Sequence, residues 1–174
     1  MKLFDIEIGK TFKTGNIEFI KFSQDGDETI AVARNALFTS KFGKNNEFIK
    51  SKILNKLQKD VLPKIESAIG AENVLEFETD LLSYDGLDTQ GRIKSKISLP
   101  TLDFYRANVR LFDKCKLDDW WWLATPWSTP ERYDDYWTLC VSQRGSIYNG
   151  DYNYSNGVRP ILHFVSSISV SCEE

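Results

Sequence analysis

The feature that most constrains the fold is a change of hydrophobic period. Between residues 46 and 69, Ile49, Ile53, Leu57, Val61, Ile65 and Ile69 recur at steps of four, with Leu54 and Leu62 beside them. Such a stripe covers one face of a helix and needs a core to face. Pro63 lies inside it, and a proline there loses the bond to residue 59 and clashes with that carbonyl. The pattern therefore predicts two helices, over 46–59 and 61–69, with Asp60 capping the second and Gly70 stopping it.

Both flanks carry β signals. Ile17, Phe19 and Lys21 alternate with Glu18, Ile20 and Phe22, the turn Asp25-Gly26-Asp27 follows, and Thr29 to Ala33 is mostly apolar. That reads as a hairpin with one buried face. Residues 73–82 read as a strand. Thr101 to Phe112 reads as a short helix capped by Thr101, with Leu102, Tyr105 and Val109 on one face. From Trp120 on, short strands are expected at 120–124, 136–142, 145–148 and 158–165, with turns at Arg144-Gly145, Asn149-Gly150 and Asn156-Gly157. N-terminal strands, two central helices and C-terminal antiparallel strands make an α+β protein, not the alternation of a parallel sheet.

A chain of 174 residues is about one domain, 1–174. It could bury roughly 70% of its extended surface. Hydrophobic residues at 41% and charged residues at 27% exclude disorder as a general description. No apolar run approaches the roughly 18 residues of a membrane span. The opening Met1-Lys-Leu-Phe-Asp-Ile-Glu-Ile has acids where a signal peptide has its apolar stretch. A cytoplasmic protein without a membrane partner is expected.

Charge divides the chain. The net charge of −3 comes from 22 basic and 25 acidic residues. Residues 1–119, the scaffold-rich part, balance 19 of each. Residues 120–174, the aromatic part, hold Arg132, Arg144 and Arg159 against six acids and have no lysine. An overall basic balance or basic stripe, the usual mark of nucleic-acid binding, is not apparent in these counts. Cys115, Cys140 and Cys172 are odd in number and lack C-x-x-C spacing, so free thiols are expected. A zinc site would need all three to converge on His163, the only histidine. No metal and no cofactor is expected, and a monomer is.

Catalytic signals are sparse. His163 alternates within Ile161-Leu-His-Phe-Val165 and reads as a strand histidine, hydrogen-bonded or half exposed. Asp118-Asp119, Asp134-Asp135 and Glu173-Glu174 are adjacent pairs, and neighbours on a strand point to opposite faces. Asp25-Gly-Asp27-Glu28 is too short for a calcium loop. Neither phosphate-cradling glycine motif is present. These absences favour a protein that is not an enzyme.

The aromatic part is the unusual material. It holds all five tryptophans and five of the seven tyrosines. In a strand, Trp120 and Trp122 face one way and Trp121 the other, so at least one face must bury large rings. Tyr148 to Gly157 is nearly all Tyr, Asn, Asp, Ser and Gly, which is either a polar hairpin loop or a binding surface. Interface hot spots favour Trp, Tyr and Arg. The candidate binding residues are therefore Trp127, Tyr133, Tyr136, Arg144, Tyr148, Asn149, Tyr152, Asn153 and Tyr154. Alternation on 136–142 places Trp137 in the core and Tyr136 nearer the surface. Pro160 forces Arg159 toward extended backbone, aiming its guanidinium across the sheet at carbonyls or an acid.

Trp120-Trp-Trp-Leu-Ala-Thr-Pro126 and Gly157-Val-Arg-Pro-Ile-Leu162, on either side of the Tyr/Asn/Ser-rich segment, together resemble the paired signature of a large bacterial and phage domain family of unknown function. Ile6-Glu-Ile-Gly-Lys-Thr-Phe12 resembles that family's opening strand, and the helical stripe ending Ala68-Ile-Gly-Ala-Glu-Asn-Val74 fits as well. The resemblance implies a C-type-lectin-like fold, which formylglycine-generating enzymes and the variable proteins of diversity-generating retroelements also use. It implies no activity. The E-P-N or Q-P-D loop and W-N-D of calcium-dependent lectins are missing, and Cys140 and Cys172 lack the context of a redox pair. The segment diversified in retroelement proteins corresponds to about 133–156. The expected function is a non-enzymatic recognition module of bacterial or phage origin, binding a protein or other macromolecule. The alternative is a phage or prophage protein that inhibits a host defence protein with its acidic, lysine-free face. A phage-encoded chain would be virion-associated.

Overall fold

A computed structural model describes residues 1–172. The first half contains β1 (Thr11–Thr14), β2 (Ile17–Asp25), β3 (Glu28–Ala33), β4 (Phe38–Ser40), α1 (Lys52–Lys56) and α2 (Leu62–Ile69). β5 (Val74–Leu75), β6 (Phe77–Asp80), β7 (Arg92–Ser95), α3 (Leu102–Ala107) and α4 (Val109–Lys114) follow. The aromatic part supplies β8 (Trp121–Pro126), β9 (Trp137–Val141), β10 (Ile147–Asp151), β11 (Asn156–Val158) and β12 (Ile161–Val165). The protein is α+β, with more sheet than helix. Among the described residues no helix is long and apolar enough to cross a membrane.

One five-stranded sheet runs β1-β2-β3-β12-β5, the other β10-β9-β8-β11-β4, and β6 and β7 form a separate ribbon. The N-terminal hairpin forms where alternation predicts, with Asp25 opposite Glu28 and Gly26 at φ 55° in the turn. Its single buried face does not hold. Phe19 packs into the larger core and Ile20 and Phe22 into a second one, because the sheet is covered on both sides. The opening strand starts only at Thr11, since Leu3 to Asp5 turn as a 3-10 helix. Lys21 is buried too, its ammonium donating to the Leu3 carbonyl at 3.0 Å, to the Phe4 carbonyl and to Gln24.

The central stripe behaves differently at Pro63. Leu57 to Val61 form a π turn, and the Leu62 N–H reaches the Leu57 carbonyl. The wider turn takes in the proline without ending the helix. Asp60 lies inside that turn and caps nothing; Ser51 caps instead, its Oγ accepting from Leu54 N–H at 3.0 Å. Ile49 sits ahead of that cap in a separate 3-10 turn and is exposed, while Ile53, Leu57 and Ile65 are fully buried. The later helix breaks at Asn108, which leaves Val109 exposed and gives the buried place to Phe112.

Strand β8 links the two cores. Trp122 packs with the stripe of α1 and α2, and its indole N–H donates to the Ser40 carbonyl at 2.9 Å. Trp121, facing the other way, packs with Tyr105 and Phe112 of α3 and α4. Arg159 lies beside it and is 1% exposed. Its Nε–H donates to the Ala33 carbonyl at 2.6 Å and an NH2 group reaches Cys115 Sγ at 3.1 Å. The rings of Phe112 and Trp121 flank the guanidinium at 5.4 Å. Of the two partner types expected, carbonyl and acid, it takes the carbonyl.

Two predicted turns are strand instead. Asn149-Gly150 lies within β10 and Asn156-Gly157 within β11. The turn of the β9–β10 hairpin is Ser142 to Ser146, with Gly145 at φ 85°.

Candidate functional site

The β9–β10 hairpin and the segments that flank it build an aromatic face. Tyr148 lies opposite Cys140 and Gly150 opposite Thr138. A Cβ on Gly150 would come within 2.8 Å of the Trp122 ring, so only glycine lets the strand lie this close. A cleft of about 440 Å³ opens above it. Buried Cys140, Gly150 and Asn156 line it together with Trp120, Tyr148 and Tyr154. The Trp120 and Tyr148 rings meet at 5.0 Å and 60°. Burial pushes the Cys140 thiol up to about 12, so it lines the cleft as a neutral thiol.

A second hollow of about 540 Å³ adjoins the first and shares Asn149 with it. Tyr84 and Trp127 stack along it at 4.6 Å and 11°, with Trp137 and Tyr133 beside them. Asp85 and Arg132 supply its charge, 3.3 Å apart. Burial works against the Asp85 carboxylate, yet hydrogen bonds from Ser128 at 2.6 Å and Ser83 at 2.5 Å, with the Arg132 charge, hold it below the usual carboxylate range. Tyr136 and Tyr152 pack at 4.9 Å. The neighbouring Tyr152 and Asp151 raise the Tyr136 phenol above its ordinary value, which keeps it a neutral donor.

The loops are held from below. Asn46, fully buried, donates through Nδ2 to the Ser128 and Trp137 carbonyls, both at 2.9 Å, and its N–H bonds the Asp135 carbonyl. Phe42 N–H donates to the Tyr152 carbonyl at 2.9 Å. Asp134 and Asp151 side chains accept from Tyr136 and Asn153 N–H groups, forming local turns.

Among the nine sequence candidates, Tyr148, Asn149 and Tyr154 line the first cleft, and Trp127, Tyr133 and again Asn149 the second. Tyr133, Tyr148 and Tyr154 are 71%, 50% and 59% exposed. Tyr136 is exposed, Asn153 is exposed in its turn, and Tyr152 is half buried against the larger core. Arg144 does not join them. It sits in the hairpin turn at the far end of β9 and β10, beside Gly145, whose carbonyl accepts from Tyr105. Trp137 is not in the core: Leu139 and Val141 on its face join the cluster built with α3 and α4, while Trp137, the first residue of β9, stands outside that cluster, half buried, and lines the second hollow. Sequence reasoning missed Tyr84, Trp120 and Asn156 as lining residues. Trp120 carried a signal as part of the tryptophan run and Asn156 as part of the polar segment 148–157; Tyr84 carried none.

His163 is occupied structurally. Its ring stacks on Phe77 at 3.9 Å and 4°, and Nδ1 bonds the Glu28 carboxylate. Cys115, Cys140 and Cys172 are free thiols. Among the described residues no group of three or more His, Cys, Asp or Glu side chains is placed to hold a metal ion. Glu173-Glu174 lies outside the described residues. Comparison of the chain with protein families, curated proteins and solved structures gives no match.

Proposed function

We propose that this protein is a non-enzymatic recognition module that holds a protein partner against the aromatic face of residues 120–156. The observation that carries the reading is the pair of adjoining hollows joined at Asn149 and lined by exposed tyrosines, in a face that Asn46 and Phe42 tie down at Ser128, Asp135, Trp137 and Tyr152. Tyrosine and tryptophan offer large contact area with few torsions to freeze, and loops already ordered lose little entropy on binding. The C-type-lectin-like fold and kinship to the bacterial and phage family belong to the same proposal. Their support is the paired sequence signature and the order of N-terminal strands, helices and C-terminal strands, which pair antiparallel as expected except that β11 runs parallel to β8, because the chain passes to the far side of β8 after β10.

A second reading is favoured by charge. The face lacks lysine and carries Asp85, Glu131, Asp134, Asp135 and Asp151, which suits a basic patch on a host protein that the module inhibits. Affinity capture from host lysate, with the captured protein then purified and titrated, tests both. Tyr148→Ala and Tyr154→Ala are expected to weaken binding at least about tenfold with unchanged thermal stability, and Arg144→Ala to bind normally. Asp134→Asn with Asp135→Asn slows association only if the acidic reading holds. Full affinity in both tyrosine variants would show that the face is in the wrong place.

A further inference from the structure

We infer a second, separate binding site: a lysine-lined groove that takes a compact, phosphate-dense anion. It lies where the segment 41–45 meets the start of α1, and its volume is about 710 Å³, within the size range of small-ligand sites. Lys41, Lys44, Lys50 and Lys52 line it, with Asn45 and Asn55 between them. Lys50 is partly neutralised by Glu47 at 2.8 Å. Among the described residues, the ammonium groups of Lys41, Lys44 and Lys52 have no carboxylate or hydrogen-bond partner. Over residues 41–59 the chain places six lysines against the single acid Glu47, in a protein whose net charge is −3. Three unpaired ammonium groups around one concavity repel one another, and a multivalent anion relieves that repulsion.

The walls are held in place. Lys52 N–H donates to the Phe42 carbonyl at 2.9 Å, and a Cβ on Gly43 would stand 3.3 Å from the Ser51 backbone, so the loop lies directly against the helix start. Buried Asn46 fixes the other end of the loop. The ligand class follows from what lines the groove. Lysine is a compact point charge suited to phosphate oxygens, and no arginine fork and no aromatic ring joins it here. A base would find no stacking platform, so recognition rests on phosphate charge alone. The site shares no lining residue with the aromatic face and stands whether or not that face binds a protein.

The test is isothermal titration of the full chain with inorganic tripolyphosphate, orthophosphate and a short DNA duplex at two salt concentrations. Tripolyphosphate is expected to bind at least about tenfold more tightly than orthophosphate and to weaken as salt rises. Lys44→Glu combined with Lys52→Glu should lower tripolyphosphate affinity at least about tenfold. Both residues are exposed, and glutamate suits the first turn of a helix, so the variant is expected to fold, which circular dichroism checks. Lys94→Glu combined with Lys114→Glu makes the same charge change elsewhere and should leave affinity within about twofold. Absence of tripolyphosphate binding at low salt overturns the proposal, as does equal loss in the two double variants. Tighter binding of the duplex than of tripolyphosphate overturns the compact-ligand class.

Discussion

At the scale of single residues, the buried cations and the histidine set the sharpest expectations. Among the described residues Arg159 has no carboxylate partner; its charge is carried by one carbonyl, one sulfur and two rings. Arg159→Ala leaves the Ala33 carbonyl unmatched and should lower stability by about 1–3 kcal/mol in urea denaturation. Arg159→Lys should recover little of it, because a lysine cannot serve both partners and lie flat between rings. His163 gives a pH dependence. Burial holds its imidazole below the ordinary value, against the opposing Glu28 carboxylate. The unfolded chain therefore takes up a proton near pH 6.5 while the folded chain stays neutral. Stability should fall as pH drops below about 6.5, down to the folded value. Replacing His163 by Gln should flatten the unfolding free energy measured between about pH 5.5 and 7.5.

At the scale of elements, two glycines carry more than turns do. Gly150 in β10 and Gly157 in β11 sit where another group approaches closely, the Trp122 ring in one case and Ala36 Cβ at 2.9 Å in the other. Gly150→Ala pushes a methyl into the Trp122 ring and should destabilise by about 1–3 kcal/mol, with a shift in tryptophan emission. Unchanged stability and emission would mean that β10 lies farther from β8 than described. The central helix teaches a related point. Pro63 predicts a break from backbone chemistry alone, but the two apolar stretches on either side of it face the same core. A π turn keeps both stretches docked on it. A helix broken at Asp60 would free one of them.

At the scale of the whole molecule, the chain closes on itself. β12 lies between β3 and β5, so the last strand fills the middle of a sheet that the first strands begin. Leu3 N–H bonds the Ile168 carbonyl, and Lys13 pairs with Ser171. The divide between a scaffold-rich 1–119 and an aromatic 120–174 is therefore compositional and does not mark separate folding units. A fragment of residues 1–119 loses β12 and four strands of the other sheet, and exposes the apolar faces they cover. It should show no cooperative thermal transition by circular dichroism. A cooperative melt would mean that the first part folds alone.

Periodicity and turn chemistry by themselves determined the α+β class, the N-terminal hairpin, the apolar stripe, the Thr101 cap, the opposite facing of Trp121 and Trp122, and the exposure of most of the C-terminal tyrosines. These are local properties, written in spacings of two and four residues. Tertiary structure decided what depends on neighbours distant in sequence. A glycine for a turn and a glycine for close approach look alike until Trp122 is seen above Gly150. Trp137 alternates with core residues, yet at the start of β9 it stands outside their cluster and lines a hollow. Tyr84 reaches the site only because its segment folds back onto Trp127. The lysines of 41–52 disappear in a charge count balanced over 119 residues, and become a groove when the loop meets the helix. Contacts between residues far apart in the chain leave no local pattern, so packing alone fixed them.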